Sequence, residues 1–322
     1  MMRRRDFIQG TVLASAGLLL TPKTWAIPAS QDKHAKAVRF GIISDLHHLQ
    51  WGKQDNEVPR LKAFMDAVLP ASPDFIIQNG DFCRAPGAGE IMAEWNRFAG
   101  AKYHVLGNHD MDVCDKPTIM KLWGMDRPYY AFDQGGYHFV VMDRNFIRQD
   151  DGTFVDYAKG NWYHSPEAQI SFSDATQLAW LRKDLAAAAK PVVVFMHQPV
   201  FLSDFFMANG NARDILAIFD EANYAASKAG RDSRVVAIFM GHDHDDRYGE
   251  RNGVHYFMVN SSSYSYGSTG AHFYQDSLFA FVTLDPAGRL VLEGRSSTYL
   301  DSAPEAVKAR FPAKISNHEL RL

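Results

Sequence analysis

Short apolar runs recur along the chain from residue 38 onward, each closed by glycine, carboxylate or histidine. Val38 to Ile43 reads as a first strand and gives way at once to Ser44-Asp45-Leu46-His47. Between Pro59 and Leu69 the apolar residues Leu61, Phe64, Met65, Val68 and Leu69 follow helical spacing. Asp74 to Ile77 predicts a second strand ending in Gly80-Asp81, and a helix is expected over 89–98. Tyr103 to Leu106 then delivers Gly107-Asn108-His109-Asp110, with His104 read as a structural residue. Tyr137 to Met142 closes on Asp143-Arg144-Asn145, after which 146–172 shows little periodicity, as a binding segment or lid does.

The pattern resumes at Ser173-Asp174, where Gln177 follows Asp174 by three residues as in a capping box. That helix leads to Val192–Met196, a strand ending in His197, and a helix over 212–229 leads to another. This last strand, Arg234 to Met240, opens onto Gly241-His242-Asp243-His244. Residues 254–259 and 278–284 read as further strands in an antiparallel meander, with the polar-aromatic segment of Tyr264 and Tyr266 between them. His138 and His255 read as packed within strands, and Asp245, Asp246 and Arg247 as a loop salt-bridge cluster. Five strands thus end in metal-capable residues: Asp45/His47, Asp81, Asn108/His109, His197 and His242/His244. In layered α/β folds, strand C-termini converge on one edge where ligands bind.

Composition narrows the class. The chain has 322 residues, 46% hydrophobic and 22% charged, with a net charge of −3. This gives ample core and argues against a nucleic-acid-binding surface, which carries a basic excess. The N-terminus stands apart: Arg3-Arg4-Arg5, an apolar stretch from Gly10 to Leu20, then Thr24-Trp25-Ala26 describe a signal peptide over 1–26. Arg4-Arg5-x-Phe7-Ile8 resembles a bacterial twin-arginine signal, which implies the twin-arginine export machinery as a partner and a periplasmic or secreted enzyme. The apolar stretch is too short to span a bilayer, so no stable membrane anchor is expected. Cys83 and Cys114 read as buried free thiols, although an oxidising periplasm permits a bond between them.

Asp45-x-His47, Gly80-Asp81, Gly107-Asn108-His109-Asp110, His197 and Gly241-His242-x-His244 resemble the signature of the calcineurin-like metallophosphoesterase superfamily. The resemblance implies a four-layer α-β-β-α sandwich of two packed mixed sheets over 38–300, with 301–322 a C-terminal tail. It also implies two metal ions at the strand ends. Asp45, His47 and His244 would complete one ion and Asn108, His197 and His242 the other, with Asp81 bridging. Mixed nitrogen and oxygen ligands suit divalent or trivalent manganese, iron, zinc or cobalt better than calcium. Purple acid phosphatases carry a tyrosine three positions after the bridging aspartate; Arg84 stands there in this chain, which argues against a purple iron site.

Two ions sharing a water lower its pKa and supply hydroxide for in-line attack on phosphorus. His109 would protonate the leaving oxygen, oriented by Asp110. Arg144 and Asn145 read equally as phosphate contacts or as a solvated loop. Tyr264 and Tyr266 read either as a surface for an organic leaving group or as a hairpin tip. The expected activity is hydrolysis of a small phosphorylated substrate, leaning to phosphomonoesters. A phosphodiesterase or nucleotide or diphosphate hydrolase is the alternative, and a non-catalytic metal-binding relative the remote one.

Overall fold

Alternation within the strands sorts their side chains onto two faces, and that sorting builds the layers. The computed structural model describes residues 36–49, 57–263 and 272–322. The expected signal peptide, Tyr264 and Tyr266 lie outside the described residues. In chain order the first half comprises β1 (Val38–Ile43), α1 (Val58–Ala71), β2 (Phe75–Gln78), α2 (Gly89–Trp95), β3 (Ala101–His104), α3 (Lys116–Trp123), β4 (Tyr130–Gln134), β5 (Tyr137–Val141), β6 (Phe146–Arg148) and β7 (Phe154–Asp156). The second half comprises α4 (Ala175–Ala187), β8 (Val192–Phe195), α5 (Asp204–Ala208), α6 (Ala212–Lys228), β9 (Val235–Met240), β10 (Arg247–Arg251), β11 (Val254–Met258), β12 (Ala280–Leu284), β13 (Arg289–Gly294), α7 (Glu305–Arg310) and β14 (His318–Arg321).

Two six-stranded sheets form, in the orders β14-β13-β12-β1-β2-β3 and β10-β11-β9-β8-β5-β4. Both are mixed: β1, β2 and β3 run parallel, as do β5, β8, β9 and β11, with antiparallel strands at the flanks. Phe40 and Phe75 of one sheet meet Phe139, Phe195 and Phe239 of the other in a shared core. There Phe40 stacks on Phe75 at 4.8 Å and meets Phe195 edge-on at 5.5 Å. The opposite faces are covered by helices. Ile43 and Ile76 pack with Leu61, Phe64, Ile91 and Trp95 of α1 and α2, while Val192 and Val194 pack with Leu181 of α4 and Ile215 and Phe219 of α6. The order is helix, sheet, sheet, helix, the sandwich expected from the motifs.

The expected meander is not what forms. β11 joins β9 in parallel within the second sheet, whereas β12 joins β1 antiparallel in the first. Every residue of β11 is buried, so it needs cover on both faces and enters the sheet interior instead of forming a hairpin with β12. The last residues are likewise no detached tail, since β14 pairs with β13 at the first sheet's edge. The capping box is half made: Asp174 accepts from the Gln177 amide, but the Gln177 side chain turns inward to the backbone of Asp143. The 146–172 stretch contains the β6–β7 hairpin. It is tied down by Lys116, which donates to Asp143, Asp156 and the Asn145 carbonyl. No helix among the described residues is long and apolar enough to cross a membrane.

His138 is a clasp on the outer side of this frame, not a core residue. Its Nδ1 lies 2.6 Å from Asp133 and its Nε2 2.8 Å from Asp184, so both nitrogens donate and the imidazolium is favoured. Those hydrogen bonds, Asp184's first, raise its pKa against the opposing effect of burial. The pair therefore stabilises the fold fully below the ordinary histidine value of about 6.5, and that contribution fades as pH rises through the raised folded value. His138→Gln should flatten the decline of melting temperature with pH above about 6.5, measured by thermal denaturation across a pH series. Parallel declines in both proteins would remove His138 from the account.

Candidate metal centre

The parallel pairing of β1 with β2 does not stop where the strands do. Asp45 N donates to Gly80 O at 3.0 Å, His47 N to Asp81 O at 2.8 Å and His48 N to Phe82 O at 3.1 Å. The backbone there is not extended: φ is 53° at Asp45, 58° at His47 and 52° at Asp81. On the loop after β9, His242 and His244 also sit at positive φ, 74° and 52°. Left-handed backbone is uncommon outside glycine, though Asp, Asn and His tolerate it best. It answers the aiming problem of His242 and His244, which would share a face in an extended segment. Gly241 contributes in another way, since a β-carbon there would run into Ser44, Asp45 and His197.

The side chains so aimed converge. Three groups, Asp45 with His47 and His244, His47 with Asp81 and His109, and Asp81 with His197 and His242, each bring their ligand atoms within 4.8 Å of one another. His244 Nε2 lies 3.2 Å from Asp45 Oδ1, and His197 Nε2 lies 3.0 Å from Asp81 Oδ2. The Nε2 atoms of His47 and His244 face each other at 2.9 Å. His197 Nδ1 donates to Asn79 O at 2.8 Å, which fixes the ring so that Nε2 faces the centre. Asp81 is common to two of the groups and lies between them. Asn108, buried beside His242, has neither amide atom partnered by protein, which is unusual for a buried polar group. A donor set of imidazoles, carboxylates and one carboxamide fits transition-metal ions.

The electrostatics agree. Burial pushes the Asp45 carboxyl up, but His197 and His244 outweigh it and bring it down to about 2. Burial pulls His197 down, yet Asp81 and Asp45 overcome this and lift its imidazole to about 10. Burial holds His47 and His242 down at about 3, neutral and available as donors. The centre thus sets two ionised carboxylates beside the neutral imidazoles of His47 and His242, and the buried negative charge that holds the proton on His197 would hold a cation in its place.

The sequence profile of the calcineurin-like phosphoesterases matches residues 38–246, the span that contains all of these positions. The chain belongs to that family. It is a hydrolytic phosphoesterase, and its family implies divalent or transition metals at a dimetal site. Human tartrate-resistant acid phosphatase type 5 is 25% identical over 280 residues, 76% of this chain and 79% of that protein. A manganese-dependent ADP-ribose/CDP-alcohol diphosphatase of Oryza sativa subsp. japonica is 23% identical over 269 residues, 67% and 81% of the respective lengths. A dimetal phosphatase from Danio rerio superposes with a TM-score of 0.61 at 18% identity, covering 82% of this chain and 98% of that one.

Around the phosphoesterase centre, two expectations need correction. Asp110 does not orient His109. Its carboxylate accepts from the amides of Gly107, Asp81, Phe82 and Cys83 at 2.8, 3.0, 2.8 and 3.2 Å, tying the two loops together. The residue beside His109 Nδ1 is Asp112, at 3.1 Å, with Tyr163 Oη at 2.6 Å. Asp112 in turn accepts from Arg84 at 3.2 Å and Trp162 at 3.4 Å. A single 3-10 turn over His109–Met111 brings Asp112 round, so the signal in sequence was His-x-x-Asp. Arg144 and Asn145 are not phosphate contacts: both are fully buried, and Arg144 donates to the carbonyls of Gln198, Pro199 and Ser171. Cys83 and Cys114 are buried free thiols.

Asp81→Ala should lose at least one equivalent of metal together with activity, read by elemental analysis of the purified protein. Retention of two ions would exclude Asp81 as the shared ligand.

Proposed function

We propose that this phosphoesterase is a dimetal phosphomonoesterase in which seven side chains hold the ions. Asp45, His47 and His244 hold one, Asn108, His197 and His242 the other, and Asp81 is shared. The reading rests on one observation above all: Asp81 stands between two nitrogen-rich groups, with the unpartnered amide of Asn108 beside them. Manganese, iron, zinc or cobalt suit this donor set. When bound, such ions supply Lewis acidity and bring a water's pKa towards neutrality.

The protein's own residues do the rest. His109 lies at the edge of the centre, its amide donating to Asp81 Oδ1 at 2.8 Å. Asp112 and Tyr163 engage Nδ1, so Nε2 is the nitrogen that gives a proton to the leaving oxygen. A groove over the centre, lined by Asp81, His109 and His242, also carries Arg247 and Arg310. Arg247 is held by Asp245 and the Leu202 carbonyl, so Arg310 is the cation of this groove that would meet a phosphate dianion. Arg84, committed to Asp112, replaces the tyrosine that a purple site requires, so the enzyme should lack a charge-transfer colour.

His109→Ala is expected to lower turnover by about two to four orders of magnitude while metal content stays at the wild-type level. Loss of metal in that variant would reassign His109 as a ligand. The similarity to a diphosphatase favours a second reading, cleavage of diesters or diphosphates. Rates on p-nitrophenyl phosphate and bis-p-nitrophenyl phosphate, measured side by side with manganese, zinc or iron, separate the two. A preference for the diester would overturn the monoesterase.

A further inference from the structure

Beside the metal centre, next to Asn108 and His242, lies a second cavity of about 260 Å³. One wall comes from the 146–172 insert, where Trp162 and Tyr163 stack on each other at 3.9 Å. The other comes from α5, whose Phe205 and Phe206 meet at 4.9 Å. Both walls touch the machinery. Trp162 meets the His109 ring edge-on at 5.0 Å, and Phe206 meets His242 edge-on at 4.8 Å. Trp162 borders both this cavity and the groove that holds His109, so an organic group attached to an oxygen beside His109 can extend into this space.

The lining says what that group is. Tyr163 and Phe205 are 51% and 38% exposed on opposite walls of the cavity, so a flat group entering it meets aromatic rings on both sides. No lysine or arginine lines the cavity among the described residues, and Glu167 stands in it, so a second phosphate or a carboxylate is disfavoured. Two acceptors face it, the Glu167 carboxylate and the buried Gln198 carbonyl oxygen, which has no protein partner while Gln198 Nε2 is committed to Asn145; the Asn108 amide and the Ser165 hydroxyl on the same lining can donate. The volume lies just below the ~300–1,000 Å³ typical of drug-sized ligands, room for one ring system and not for an oligomer.

We propose that this cavity is a leaving-group subsite for a flat, uncharged, N–H-bearing heteroaromatic group of the nucleoside kind. The inference rests on the phosphomonoesterase reading for its substrate but not for its binding. Two measurements on the metal-loaded full chain separate them. The first is the ratio of kcat/KM for adenosine 5′-monophosphate to that for glycerol phosphate, in wild type, Phe205→Ala and Phe205→Tyr. The second is binding of adenosine, which has no phosphate, by calorimetry with and without metal. The ratio should favour the nucleotide, fall about tenfold in Phe205→Ala, in line with the loss of one stacking face, and be restored in Phe205→Tyr. Adenosine should bind in both metal states and more weakly to Phe205→Ala. Equal use of both substrates with no adenosine binding would overturn the subsite and leave the phosphomonoesterase intact. Adenosine binding without hydrolysis of either ester would keep the subsite and overturn the phosphomonoesterase.

Discussion

The carboxylate of Asp110 fixes the distance between the loop that bears Asp81 and the loop that bears Asn108, and the centre depends on that distance. One side chain gathers four amides, three from the first loop and one from Gly107 on the second. Each of those buried donors left unmade would cost about 1–3 kcal/mol. The loops abut so closely that a β-carbon on Gly107 would collide with the amide and carboxylate of Asp81. Held this way, Asp81 can accept from the His109 amide through one oxygen and turn the other to His197. The left-handed residues Asp45, His47, Asp81, His242 and His244 each cost of order 1–3 kcal/mol. The loop-to-loop ladder and the Asp110 clamp offset that strain and keep it where these side chains converge.

The sequence made the layered fold legible because its strands are short, apolar and closed by recognisable residues. The alternation that separates Phe40 from Ile43, or Val193 from Val194, is the same that separates the inter-sheet core from the helix-covered faces. Residues that converge at the strand ends were legible for the same reason. What lay hidden was whatever depends on contacts distant in sequence. Nothing local shows that β11, one arm of a hairpin with β10, takes β9 and not β12 on its other side; that pairing is defined by the register His255 to Ala237. α3 escaped notice although Asp115 caps it, accepting from Thr118, and Gly124 ends it at φ 71°.

Asp110 and Asp112 show the limit best. Adjacency to His109 suggested the first as its orienting partner, but the 3-10 turn points Asp110 into the core and Asp112 back at the imidazole. Arg144 misled in a similar way. A strand-end arginine suits phosphate, yet here it donates to three backbone carbonyls in the interior.

The insert between β5 and α4 would pass, on length alone, for an appendage that could be trimmed or exchanged among related scaffolds. Its anchoring says otherwise. Asp156 is one of the carboxylates on the buried Lys116, whose ammonium also sits 3.7 Å over the Phe146 ring, and Ser171 O is an acceptor for the fully buried Arg144. Excision would strip two interior cations of part of their compensation at the same moment that it removed Tyr163 and Trp162 from His109. Folding and chemistry share these attachments, so the segment is not modular. Any redesign of specificity here has to proceed side chain by side chain, on a loop whose backbone stays in place.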